Sequence, residues 1–175
     1  SPTKGEYISV VALGGYARAE MAPYSDIDLL FLTPYKQTAW GENVIETILY
    51  LLWDLGLKVG HAVRNIEECL RIAKNDITAR TSLLENRFLI GNIELADELN
   101  KRLWKDIFEK SAPEFIEKKL EERNLRHKKQ GSERYLLEPN IKEGKGGLRD
   151  LQTLYWISKY VYKISDKNDL INYKI

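Results

Sequence analysis

Apolar residues change their spacing along the chain, and each spacing marks an element. Tyr7 to Leu13 (YISVVAL) is an apolar, β-branched run ending at Gly14-Gly15, which predicts a strand and then a turn. Ile27 to Thr33 (IDLLFLT) predicts a second strand, stopped by Pro34. Between Ala39 and Leu55, Val44, Ile45, Ile48, Leu49, Leu52 and Leu55 recur at helical spacing, and Gly56 stands where a C-terminal glycine belongs. Leu57 to Val63 (LKVGHAV) predicts a third strand, with the preceding helix as its crossover. Asn65 with Glu68 three residues on is a capping-box pattern.

From Asn65 onward the spacing is helical. Leu95, Leu99, Leu103 and Ile107 lie one turn apart within Ile93 to Phe108. Ser111 and Glu114 open a heavily charged helical segment ending near Gln130. Gly131 to Gly147 has no periodicity, and Leu148 to Tyr162 resumes a helix. The last dozen residues are polar and read as frayed. No repeat or low-complexity tract interrupts the chain. The fold class expected is α+β: a small mixed sheet with helices in residues 1–90, then a helical domain in 91–175 cut short at its C-terminal end.

Composition narrows what such a fold does. The chain has 175 residues, 43% hydrophobic and 30% charged, which supports a folded core and excludes wholesale disorder. Its 27 basic and 26 acidic residues leave a net charge of +1, which argues against gripping nucleic acid or anionic lipid by bulk charge. No apolar run approaches about 20 residues, so no membrane partner is expected. A single cysteine, Cys69, forbids an internal disulfide and a cysteine zinc site, which suits a cytoplasmic protein. The chain opens Ser1-Pro2-Thr3 rather than with Met, as a piece of something longer would.

The candidate chemistry lies in Gly14-Gly15 and in Ser25-Asp26-Ile27-Asp28. Residues two apart on a strand share a face, so Asp26 and Asp28 are expected to project together from an apolar, buried strand. Two such carboxylates repel each other and resist ionising unless they share a cation. Mg²⁺ suits them, because it takes one or two carboxylates and completes its shell with water and substrate phosphates. Glycines at a strand-to-turn junction let backbone N–H groups approach a phosphate closely. Together the two features favour metal-assisted phosphoryl or nucleotidyl transfer. Neither a P-loop nor a dinucleotide-binding glycine motif is present, and two histidines, His61 and His127, are too few for a histidine metal site.

At these residues the chain resembles a known family. Gly14 to Glu20 (GGYARAE), continuing through Ala22-Pro23-Tyr24-Ser25-Asp26-Ile27-Asp28-Leu29-Leu30, resembles the nucleotidyltransferase domain of bacterial protein-PII uridylyltransferase, within the polymerase-β-like superfamily. Leu52 to Arg64 looks like the family's next block. Glu138 to Lys142 with Gly146 to Gln152 looks like a third. The resemblance implies Mg²⁺-dependent transfer of UMP from UTP, Mn²⁺ substituting, to a tyrosine of the nitrogen-regulatory protein PII, with release of pyrophosphate. It also implies a multifunctional parent whose histidine-aspartate hydrolase removes UMP and whose ACT domains sense glutamine. This chain has no His-Asp dipeptide, so the removing activity is not expected in it.

The resemblance assigns metal binding and catalysis to Asp26 and Asp28, and phosphate holding to the backbone of Gly14 and Gly15. Ser25 offers a hydroxyl or caps a turn. Arg18 neutralises pyrophosphate or makes an ordinary salt bridge. Arg64 contacts the nucleotide or is structural, and Lys142, with Lys145 and Arg149 of the same loop, closes over the triphosphate or meets PII. Two departures stand out. Ala17 and Ala19 flank Arg18 where many relatives have glycine, and the third strand offers Gly60, His61 and Ala62 but no third acid, leaving two aspartates alone or an acid such as Glu67. Trp53, Trp104 and Trp156 read as core, Lys118 and Lys119 as a solvated face, and Cys69 as inert. The competing readings are protein adenylylation from ATP, a nucleotide-sensing module without transfer, and RNA tailing, the last disfavoured by the near-neutral charge.

Overall fold

The computed structural model describes residues 7–22, 24–35, 38–131 and 140–164. Pro23, the Glu138-Pro139 pair of the third block and the last dozen residues, apart from Ile164, lie outside the described residues. The chain divides into two compact units, Ser1–Ile107 and Phe108–Ile175.

The first unit holds the sheet. Strand β1 (Ser9–Leu13) runs into a four-residue helix α1 (Gly14–Ala17), and β2 (Ile27–Leu32) returns antiparallel beside β1. Helix α2 (Ala39–Asp54) then crosses over to β3 (Val59–Arg64), which lies parallel to β2. Thr38 caps α2 through its side chain, and Gly56 closes its far end at φ +75°. The apolar spacing read from the sequence explains this half: Ile45 and Leu49 of α2 bury against Val10, Leu29 and Phe31 on one face of the sheet.

Strand alternation turns Val11, Leu13, Leu30 and Leu32 to the other face. Three helices follow β3 in the chain: α3 (Ile66–Asn75), α4 (Ile77–Leu84) and, after a further strand, α5 (Ile93–Asp106). Asn65 and Glu68 form the expected capping box at the start of α3. Helix α5 packs on α3 and β1, burying Leu95, Leu99 and Leu103, so the compact unit runs through Ile107 and takes in a helix the sequence had placed beyond residue 90.

One strand escaped the sequence reading. Arg87–Gly91 forms β4, antiparallel to β1, where the pattern after Asn65 had suggested only helices. Its five residues carry only three apolar positions between two helical stretches, too few for a period of two to show. The order among the described residues is β3-β2-β1-β4.

The second unit is helical. After a short 3₁₀ turn (Phe108–Lys110) come α6 (Ala112–Gly131) and α7 (Leu148–Tyr162). Tyr160 stacks on Phe115 with ring centroids 4.0 Å apart and donates to or accepts from Ser111 Oγ at 2.7 Å. Lys119, expected on a solvated face, is 4% exposed: its ammonium lies 5.0 Å from the centroid of the Trp156 ring and pairs with Glu122 at 2.9 Å. Trp156 is core, whereas Trp53 is 44% exposed beside His61, contrary to its core assignment. Among the described residues no helix is long and apolar enough to cross a membrane.

Candidate active site

The site forms where β1 ends and β2 and β3 begin. Leu13 pairs with Asp28 across the β1–β2 ladder, and Asp28 pairs with Gly60 across the β2–β3 ladder. Gly14 follows Leu13 directly, at φ +55°, a backbone conformation that glycine adopts without a steric cost. A Cβ built on Gly14 would stand 3.6 Å from Asp28 Oδ2, and one built on Gly60 only 2.7 Å from Asp28 Oδ1. The Asp28 carboxylate therefore lies in a cradle of two glycines, Gly14 just past the end of β1 and Gly60 on β3. Gly60 was not picked out from the sequence, although a glycine inside a strand pattern signals a close approach of this kind.

Asp26 comes just before β2, whose ladder opens with the Ile27 N–H donating to the Lys58 carbonyl at 2.8 Å. Both aspartates are open to solvent, and burial along β2 begins only at Leu29. The expectation of two carboxylates inside a buried strand is thus corrected: the apolar run belongs to the far part of β2. Partial desolvation, and after it the negative charge of Asp26, raise the Asp28 carboxyl above the usual carboxylate range. A cation shared by the pair would relieve both effects.

The donor set fits a divalent cation of the Mg²⁺ type: two solvent-facing carboxylates, one of them aimed by a glycine cradle, with room for water and phosphate oxygens. Among the described residues no three or more acidic, histidine or cysteine side chains are grouped so as to hold a metal ion. Glu67 belongs to α3, past the opposite end of β3, and pairs with Arg102 at 3.0 Å.

The other expected site residues divide sharply. Gly15 lies with Gly14 in α1, whose carbonyls accept from the N–H groups of Arg18 and Glu20. Ser25 adjoins Asp26, and its N–H closes a turn on the Ala22 carbonyl at 3.1 Å. Arg18 does not reach outward: its guanidinium donates to Glu85, 2.5 Å away and 2% exposed, and lies 3.4 Å from Glu20. Arg64 faces Leu32 at the opposite end of β3, four residues and about 13 Å along the strand from Gly60.

Lys142 is exposed in the second unit, on a loop that satisfies itself. Asn140 Oδ1 accepts from the N–H groups of Lys142 and Glu143, and Asp150 Oδ2 accepts from that of Gly146 at 2.8 Å. Asp150 also binds His127 at 2.8 Å and pairs with Arg126.

Comparison with known proteins bears on the family of the chain. Residues 3–129 match the family described as "Nucleotidyltransferase domain", and residues 114–175 match the family described as "GlnD PII-uridylyltransferase". The chain is 61% identical over 171 residues to a "Bifunctional uridylyltransferase/uridylyl-removing enzyme" from Cereibacter sphaeroides, covering 98% of this chain and 18% of that protein. The protein of the same description from Ruegeria pomeroyi is 58% identical over 98% of this chain and 19% of its own length. That from Azospirillum brasilense is 55% identical over 100% of this chain and, again, 19% of its own. The chain thus spans about a fifth of the length of the relatives it matches.

Proposed function

The chain belongs to the nucleotidyltransferase-domain family, and from that membership we propose that it carries the transferase site of a protein uridylyltransferase acting on a PII-type protein. The observation that carries this reading is the Asp28 carboxylate held between Gly14 and Gly60, with Asp26 two residues away and open to solvent. In that reading Asp26 and Asp28 hold Mg²⁺, or Mn²⁺ in its place. Backbone N–H groups of the Gly14-Gly15 turn hold the triphosphate of UTP, and Ser25 adds a hydroxyl beside Asp26. Bound there, the cation neutralises charge on the phosphates as it builds up.

The reaction is an in-line displacement. A tyrosine oxygen of the acceptor forms a bond to the α-phosphorus of UTP, and the bond from that phosphorus to the bridging oxygen breaks. Pyrophosphate carries away the electron pair, and the phenolic proton passes to water beside the carboxylate pair. The chain's own contribution is alignment: two carboxylates on one side of the phosphate, and a side-chain-free turn on the other. Incubation with Mg²⁺, labelled UTP and a PII protein tests the reading. Label on a PII tyrosine, absent with ATP and absent for Asp26→Asn/Asp28→Asn, supports it. Equal labelling from ATP favours protein adenylylation instead, and labelling by the double variant refutes the assigned site.

A further inference from the structure

The Gly14-Gly15 turn is held from outside itself, by a strand that the sequence did not disclose. Helix α1 has only four residues, too few to stand on its own hydrogen bonds. The turn that follows gives the Tyr16 carbonyl one long bond, from the Ala19 N–H at 3.2 Å. Arg87 adds two shorter ones: Nε donates to the Ala17 carbonyl and Nη2 to the Tyr16 carbonyl, each at 2.9 Å. The same guanidinium lies 5.7 Å from the centroid of the Tyr16 ring. The antiparallel ladder fixes where it starts from, because Arg87 opens β4 opposite Ala12 of β1. A second tie runs from the residue after α1, where Arg18 meets Glu85 at the end of α4.

We propose that Arg87 is a positioning residue for the nucleotide, setting the Gly14-Gly15 turn through the carbonyls of Tyr16 and Ala17. The proposal rests on the reading of that turn as the phosphate-holding element. A planar guanidinium with two donors on consecutive carbonyls fixes both the position and the tilt of the turn, which a lysine with a single point charge does not do. Its effect falls on the phosphates and not on the acceptor, since the guanidinium donates to carbonyls of α1.

Amide exchange in the nucleotide-free chain tests the positioning directly. The N–H groups of Arg18, Ala19 and Glu20 donate to Gly14, Tyr16 and Gly15 at 3.2, 3.2 and 3.3 Å, so they report on the turn. In Arg87→Met these three amides are expected to exchange about tenfold faster while those of β1 and β2 keep their protection, and Arg87→Lys recovers part of the loss. The KM for UTP is expected to rise about tenfold, with kcat and the acceptor KM unchanged. Unchanged exchange at the three amides overturns the proposal, and so does equal acceleration in β1 and β2, the mark of a merely structural residue. Should the unmodified chain fail to bind Mg²⁺-UTP, the phosphate reading falls, while amide exchange still decides whether Arg87 holds the turn.

Discussion

Gly60 and Asp28 face each other across the parallel β2–β3 ladder so closely that a methyl group at position 60 would stand 2.7 Å from Asp28 Oδ1. The atom it would meet is the end of a side chain that can swing away, so the fold bears the substitution cheaply. The carboxylate does not keep its aim. Gly60→Ala is therefore expected to lower Mg²⁺-dependent nucleotide affinity by about 10- to 100-fold, the range seen when the support of a metal ligand is lost. Its thermal midpoint should stay close to that of the unmodified chain. Calorimetric titration beside a melting curve separates the two effects.

Arg18 and Glu85 form a pair with little access to water, at 15% and 2% side-chain exposure. Removing one partner takes a close opposite charge from the other in a poorly hydrated place, which typically costs about 3–5 kcal/mol. Glu85→Ala and Arg18→Ala are each expected to destabilise the first unit on that scale, measured by urea unfolding. A loss below about 1 kcal/mol would place the pair with ordinary surface salt bridges.

Asp150 gives the second unit an acid-sensitive joint. Burial pushes its carboxyl up, but the Gly146 N–H, Arg126 and His127 outweigh that and hold it down at about 2, from an ordinary value of 3.8. A carboxyl with a lowered folded-state pKa contributes stability above its unfolded value and loses it as pH falls through the folded one. Stability is therefore expected to drop between about pH 4 and pH 2. Asp150→Asn should flatten that part of the curve of melting temperature against pH, and an unaltered curve would remove Asp150 from the account.

Cys69 is buried on α3, and burial, the largest influence, pushes its thiol up to about 12. Reaction with a thiol reagent at neutral pH is expected only after unfolding, so its rate should track denaturant concentration. Rapid labelling of the folded chain would contradict this placement.

The sequence disclosed those parts of the fold that follow from local spacing. Val44 to Leu55 repeats at helical intervals over about three turns, and Asn65 with Glu68 announces a helix start, so α2 and α3 were legible. Strand β4 was not, because Arg87–Gly91 becomes a strand by pairing with β1, seventy-odd residues earlier, and not through a pattern of its own. The site was legible in the same measure. Asp26, Asp28, Gly14 and Gly15 are close in sequence and meet in space. Gly60, Glu85 and Arg87 reach the site only through strand register and tertiary packing, which no single-sequence pattern records. Arg64 shows the converse: it belongs to the strand expected beside the site, but four steps of extended chain carry it from Gly60 to the opposite end of β3.

The central claim is that two aspartates, one of them cradled by glycines, hold a divalent cation for UTP. Titration of the chain with UTP, with and without Mg²⁺, beside Asp26→Asn/Asp28→Asn, tests it most directly. Binding that needs the metal and vanishes in the double variant is the expected result; binding that ignores the metal, or survives the double substitution, would contradict it.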